Sequence, residues 1–315
     1  MLSDAPPTPT AADSWLLNAM ADAIPGTLAV VITFFNLIGN FGNVNVIIAT
    51  CRSKTLQSKH GWLLVILCTE ASLCLLFEYI NVGFALSGVH ITRRSCLLYL
   101  SPYIFVTCLQ STTFVALAID VLLSFTVISK YRRWPTFGYC AVLTFVPAVL
   151  PVALLARLWC QVSDEVIFLC NPPLSMDAEA VNIWGGMITL INISILIIYG
   201  YVYWFSHQTK KRTSDSKIAE KIMRSLTILV IVFCFSWVTC MGMVFLVDYF
   251  TTNPIIITLI RSYAVVFGAI SCSQTFYIYY LRSEVYRTEF QKQLGCKRKT
   301  ERTRQVVLTS RSAHF

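Results

Sequence analysis

The chain has 315 residues, of which 56% are hydrophobic and only 13% are charged. Soluble domains carry about a quarter charged residues, and a single soluble core could not bury this much apolar surface. The composition therefore excludes an ordinary soluble protein and predicts a protein whose solvent is lipid.

Seven stretches of the chain carry almost no Asp, Glu, Lys or Arg. Each is long enough to cross a hydrocarbon layer, which takes about 20 residues as a helix. They lie at 23–51, 60–92, 95–119, 134–156, 180–209, 225–247 and 262–281. Only Glu70 and Glu78 interrupt them. Because lipid offers the backbone no hydrogen-bond partners, the spans are predicted to be helices. We therefore predict an all-α membrane protein built as a seven-transmembrane-helix bundle.

The basic residues predict the orientation of this bundle. Of the 25 Lys and Arg residues, 21 follow the first, third, fifth and seventh spans, and the other four are Arg93, Arg94, Arg157 and Arg261. The positive-inside rule then predicts a multi-pass plasma-membrane protein with its amino terminus outside. Residues 1–22 are predicted to form an extracellular tail, too short for a separate ligand-binding domain. The net charge of +9 indicates contact with membrane lipid and not with nucleic acid.

The twelve cysteines show no CxxC or Cys/His spacing, so neither zinc nor another cofactor is predicted. Cys96 lies at the outer start of the third span, and Cys170 lies in the longest outer loop. Both face an oxidising compartment, where a disulfide would pin that loop over the mouth of the bundle. Cys160, near the end of the fourth span, competes as the partner of Cys96. We favour Cys170.

Several motifs appear in order along the chain. Gly42-Asn43 lies in the first span, and Cys96 precedes Asp120 by 24 residues. "FCFSWVT" ends at Thr239 in the sixth span, and "RSEVYRTEFQKQLGC" follows the seventh span and ends at Cys296. Together with seven spans, this order resembles the rhodopsin-like G-protein-coupled receptors. It implies a short amphipathic eighth helix ending in a palmitoylated cysteine, here Cys296.

Longer stretches narrow the resemblance. "GNFGNVNVIIATCRSKTLQSKHGWLLVIL", "IDVLLS", "KYRR" and "YIYYLRSEVYRTEF" look like the nematode serpentine receptors of the Srsx class, a chemoreceptor-like branch. The resemblance runs from the first span through the eighth helix. It divides the chain into a receptor domain at 23–282, the eighth helix at 283–296 and a basic cytoplasmic tail at 297–315.

The chain departs from the family at the residues that the family uses to move. Where the family has an Asp-Arg pair, this chain has Asp120-Val121. The proline of the sixth span is replaced by Thr239, and the seventh span offers Tyr279 or Tyr280 as the switch tyrosine without the usual proline. Two interpretations of Asp120 stay open. It is either a solvated or loop-paired acid at the membrane boundary, or the remnant of a weakened latch that has lost its G-protein contact.

The polar residues of the spans suggest two further sites. The resemblance implies a sodium site around Glu70, with Asn43 and Gln110 nearby, and a hydrogen-bonded structural acid is the alternative. Glu78, farther outward, would meet a cationic ligand or pair with Arg93 or Arg94, and we favour the pairing.

Two aromatic residues are candidates for the ligand pocket. Tyr103 stands where the family's amine receptors carry aspartate, which disfavours an aminergic ligand. The seventh span has no lysine, which excludes a retinal Schiff base. Trp237 lies at a depth typical of a pocket floor, although a packing or lipid-facing tryptophan would fit the sequence equally well.

After the spans, Tyr286, Phe290 and Leu294 form an apolar stripe that predicts a helix lying on the inner leaflet.

We therefore expect a receptor, chemosensory or peptide-sensing, that takes a small organic or peptide ligand and signals to a heterotrimeric G protein. The alternative from the same residues is a divergent receptor that does not couple, or that assists a partner receptor, because Val121 replaces the arginine. A transporter or channel would predict internal repeats and more interior charges, and neither is visible. An enzyme is not expected, since the spans contain no His, Glu and Asp constellation.

Overall fold

The computed structural model of the protein describes residues 11–87, 89, 91–167, 170–209 and 216–295. Within them the chain is almost entirely helical. The helices are α1 Ala11–Arg52, α2 Lys59–Ser87, α3 Arg93–Thr126, α4 Ile128–Arg133, α5 Thr136–Phe145, α6 Val149–Gln161, α7 Ala178–Thr209, α8 Ser216–Phe250, α9 Pro254–Tyr263, α10 Val265–Ser273, α11 Thr275–Arg282 and α12 Glu284–Gln293. Two short strands, β1 Ile91–Thr92 and β2 Val166–Ile167, pair antiparallel.

The predicted fold class is confirmed. Six helical segments are long and apolar enough to cross a membrane, and the fourth of them combines α5 and α6. The seventh span is a bent pair, Leu259–Ser273 and Thr275–Arg282, with an angle of 41° between its halves. At the bend the Ser273 hydroxyl donates to the Ala269 carbonyl at 2.7 Å. Such a bond competes with the helical ladder and often accompanies a bend.

The first helix is longer than expected. It begins at Ala11, so the second half of the predicted extracellular tail, residues 1–22, belongs to α1. Residues 1–10 lie outside the described part of the chain.

The core of the bundle forms around α3, which is the most buried of the spans, whereas the fourth span is the least buried. Aromatic rings join α3 to α8 in the interior of the bundle. The rings of Phe114 and Phe233 stack there with their centroids 3.8 Å apart. One end of the bundle carries the basic connections between α1 and α2 and between α3 and α5, and we call it the basic end. The opposite end carries β1, β2 and the disulfide, and we call it the disulfide end.

A glycine contact joins the first and seventh spans. A Cβ atom placed on Gly42 would lie 2.7 Å from the Cβ of Phe276, an atom that cannot move without its backbone. Small residues at such positions let membrane helices approach closely. The pair Gly42-Asn43 therefore has a packing role, and Asn43 adds a bond from its amide to the Cys272 carbonyl at 3.0 Å.

We expect Gly42→Ala to destabilise the protein by about 1–3 kcal/mol, the usual cost of overpacking. The thermal midpoint of the purified full-length chain in detergent measures it. Gly200→Ala is the matched control, because a Cβ there meets nothing within 4 Å. That control should hold or raise the midpoint, since alanine favours a helix over glycine. Equal midpoints for the two variants would show that α1 and α11 do not pack this closely.

The short helix α12 folds back onto the end of the seventh span. Ser283 caps it by accepting a hydrogen bond from the Tyr286 amide at 3.4 Å. Of the predicted apolar stripe, Tyr286 and Phe290 are buried, and only Leu294 is exposed. Most of the stripe thus packs on the bundle, and the position of α12 on the inner leaflet stays a prediction. The lipidation candidate Cys296 and the basic tail 297–315 lie outside the described residues.

Candidate functional site

A cavity opens near the disulfide end of the bundle, between α2, α3, α7, α8 and the seventh span. It encloses about 630 Å³, counting its open mouth. The lining is mainly aromatic and apolar, with Tyr103 from α3, Trp184 from α7, and Trp237 and Met241 from α8. Arg261 contributes a formal charge to the wall. Concave, mainly apolar sites with a few polar groups are typical of small-molecule pockets.

The loop between α6 and α7 covers this cavity. A disulfide joins Cys96 at the start of α3 to Cys170 in the loop, with the two Cα atoms 5.5 Å apart. Cys160, the competing candidate, is exposed and unbonded. Cys170, together with the three loop residues that follow it, lines the cavity. The bridge therefore fixes the roof of the pocket to its central helix.

Two ion pairs hold the same loop from the α3 side. The guanidinium groups of Arg93 and Arg94 lie 2.8 Å from Glu165 and 2.9 Å from Asp164. Arg93 also donates to the Met176 carbonyl at 2.9 Å. Since all four charged side chains are at least partly exposed, each pair contributes little alone. Together with the disulfide and the strand pairing they set the position of the loop.

The expected pairing of Glu78 with one of these arginines is wrong. Glu78 is buried within α2 and accepts a hydrogen bond from the Asn81 amide at 2.6 Å. The arginines lie beyond the end of α2, where they pair with the loop acids Glu165 and Asp164 instead. Glu78 therefore lies behind the cavity wall, bonded to Asn81, which lines the cavity, and a contact of Glu78 with a ligand stays a prediction.

Trp237 lies where the cavity meets the core. Its side chain is buried, and its ring makes edge contacts with Trp184 and Phe233, each at a centroid distance of 6.3 Å. Phe233 in turn stacks on Phe114 of α3. A change of position at Trp237 would therefore press on the packed core between α3 and α8, because close-packed interiors transmit strain.

At the basic end, Asp120 is neither solvated nor exposed. Its side chain is 2% exposed, and one of its oxygens accepts a hydrogen bond from the Tyr131 hydroxyl of α4 at 2.9 Å. Burial, together with the charge of Asp120, raises the pKa of Tyr131, which keeps that hydroxyl a donor. The other oxygen of Asp120 lies 3.3 Å from the ring of His60 on α2, so the two interpretations of Asp120 stay open. Val121 is also buried and belongs to the apolar core.

A sequence profile described as the serpentine type 7TM GPCR chemoreceptor Srsx matches residues 36–294. The chain belongs to the Srsx chemoreceptor family. The match extends from the first span to the end of α12 and so covers the cavity, the disulfide and the basic end. No curated protein matches the chain.

The polar core of this Srsx receptor is divided into two sets of contacts. Glu70 accepts a hydrogen bond from the Thr113 hydroxyl at 3.0 Å. Gln110 instead lies 3.5 Å from the thiol of Cys272, whose carbonyl is the partner of Asn43. The structure thus brings Asn43 and Gln110 to one residue of α10 and engages Glu70 separately with α3. The sodium site that the resemblance implies stays a prediction.

The sequence did not point to several residues that shape the sites of this Srsx receptor. Asn81, Trp184 and Arg261 line the cavity. Each lies in or beside a span that is apolar all round, so no periodicity indicates which face turns inward. His60 contacts both Asp120 and the predicted switch residue Tyr279. The only signal available for His60 was a titratable ring at the start of an apolar span.

Proposed function

We propose that this Srsx chemoreceptor binds a small organic molecule or a short peptide in the cavity at the disulfide end. The ligand would enter from outside the plasma membrane, with the amino terminus of the chain on that same side. The observation that carries the proposal is the position of Trp237, which lines the cavity and packs through Phe233 onto α3. A ligand that contacts Trp237 would thereby favour one packing of α3 and α8 over another.

We further propose that the basic end passes this change to a heterotrimeric G protein. Val121 presents a buried apolar side chain where the rhodopsin-like receptors that this sequence resembles have arginine, so we expect no guanidinium contact with a G protein at this position. The Lys and Arg residues of the connections at the basic end supply positive charge for a partner or for anionic lipid. Coupling through such contacts is expected to be weak. A receptor that does not couple is the second candidate, and the same valine favours it.

Val121→Arg tests coupling directly. We expect the native chain to activate a G protein weakly and Val121→Arg to raise basal activation about tenfold, since one charge-assisted hydrogen bond contributes about 1.5 kcal/mol. A cell-based activation assay across a panel of G proteins measures this, first without ligand and then with small organic compounds and short peptides. Surface expression is quantified for each chain, and activation is compared at equal surface density.

Trp237→Ala serves as the cavity control in the same cells. Because truncating this buried ring also costs stability, the variant is compared with the native chain at equal surface density, where it should lose the response to any compound that activates the native chain, while Val121→Arg keeps that response. If the native chain and Val121→Arg both reach the surface and stay silent with and without compounds, the non-coupling receptor becomes the better description. A response that survives in Trp237→Ala would place the ligand outside this cavity.

A further inference from the structure

His60 lies in the first turn of α2, at the basic end, between two residues of other spans. Its Nδ1 atom is 3.3 Å from an oxygen of Asp120 on α3. Its Nε2 atom is 3.0 Å from the hydroxyl of Tyr279 on α11. The ring of His60 is 12% exposed, and Asp120 and Tyr279 are each 2% exposed. Three spans therefore meet in one buried polar chain.

The chemistry of these groups fits such a bridge. An ionised carboxylate only accepts hydrogen bonds, so the proton of a neutral imidazole is favoured on the Nδ1 atom that faces Asp120. The Nε2 atom of the neutral ring then accepts from the Tyr279 hydroxyl. When the ring carries both protons, Nε2 donates to the same hydroxyl. A rigid ring with nitrogens at opposite edges therefore links α3 to α11.

Other groups at the basic end also contact Asp120. Tyr131 donates to the other carboxylate oxygen at 2.9 Å. Lys59, which precedes His60, bonds to the Tyr131 carbonyl, and its ammonium lies 4.3 Å from the centre of the Tyr131 ring. The next residue on α3, Val121, has no group that could bind the carboxylate. Asp120 thus takes its close partners from α2 and α4, and Tyr139 of α5 also interacts with it.

We propose that His60 is the latch of the basic end, holding the inner ends of the second, third and seventh spans together through Asp120 and Tyr279. In rhodopsin-like receptors the arginine after this aspartate makes the charge contact from the third span. In this chain the bridge is made by His60, which belongs to α2. The packing of these three spans at the basic end then depends on His60. When His60 loses its contacts, Asp120 and Tyr279 are freed together. This inference does not rest on the ligand or on a G protein, because it concerns the contacts of the chain itself.

Hydrogen exchange of the purified full-length chain in detergent tests the latch. His60→Ala is expected to speed amide exchange about tenfold in α11 and in the part of α3 that follows Asp120, because the bond to the Tyr279 hydroxyl and the close contact with the Asp120 carboxylate are both lost. Segments at the disulfide end, around Cys96, should exchange as in the native chain. Thr69→Ala is the matched control on the same helix, since the exposed Thr69 hydroxyl bonds only to the Val65 carbonyl.

A double-mutant cycle separates a latch from general loss of packing. Tyr279→Phe removes one hydroxyl and keeps the buried ring, so it folds even where His60→Ala does not. If His60 and Tyr279 act as one unit, the double variant exchanges no faster than the faster of the two single variants. His60→Gln, whose amide can both donate and accept, should recover part of the protection. The latch is disproved if His60→Ala matches Thr69→Ala at the basic end, or if the effects of His60→Ala and Tyr279→Phe add.

Discussion

Cys170→Ser is expected to cost the protein about 2–5 kcal/mol of stability, the usual effect of removing a native disulfide. The bridge closes a chain loop with a sequence separation of 74 residues, which contains α3, α4, α5 and α6. It also holds the residues that roof the cavity. Without it, the loop would be held by the partly exposed ion pairs of Arg93 and Arg94 and by two short strands, which contribute much less.

The thermal midpoint of the full-length chain in detergent measures this loss, together with the fraction of the protein that reaches the cell surface. Cys160→Ser is the matched control, because Cys160 is an exposed and unbonded cysteine near the same end of the bundle. We expect that control to keep the native midpoint. Treating the native chain with a thiol reductant should lower its midpoint toward that of Cys170→Ser and leave the variant unchanged. A variant as stable as the control would show that the ion pairs and strands suffice to hold the loop.

The sequence predicted the spans well for a physical reason. A helix that crosses lipid must be apolar on all its faces, so each span is a long stretch without charge. The hydropathy of the single residues is therefore enough to predict where the spans lie. The bend at Gln274 was not predicted, since this chain has no proline there and the bend involves a local serine bond. The early start of α1 was missed because Asp13 and Asp22 interrupt the sequence there, and the first span was defined as a stretch without charge.

The candidate sites were only partly predictable. Trp237, singled out by its depth, and Tyr103, singled out by the family resemblance, both line the cavity, and their contact with a ligand stays a prediction. The prediction that Glu78 pairs with Arg93 or Arg94 was wrong because the loop acids pair with these arginines. The position of those acids depends on the strand pairing and the disulfide, which the sequence does not show. His60 is separated by 219 residues from its partner Tyr279, a contact that only the packed bundle creates.

Phe290→Ala is expected to destabilise the attachment of α12 by about 3–5 kcal/mol, as for other large buried aromatic side chains. Phe290 is fully buried, and its ring centroid lies 4.6 Å from that of Phe276 and 5.7 Å from that of Tyr286. The Tyr286 hydroxyl lies 3.2 Å from that of Thr50, so the same cluster also joins α12 to α1. Losing the ring would therefore loosen α12 from both the first and the seventh span.

Leu294→Ala is the control for this prediction, since Leu294 belongs to the same apolar stripe but is 45% exposed. If the stripe packs on the bundle, Phe290→Ala should lower the thermal midpoint and speed amide exchange throughout α12, and Leu294→Ala should change neither. If the stripe instead lies in the inner leaflet, the two variants should weaken membrane contact to a similar degree and leave the midpoint in detergent unchanged. The comparison separates a helix held by the protein from a helix held by lipid, because detergent removes the bilayer and keeps the contact between Phe276 and Phe290.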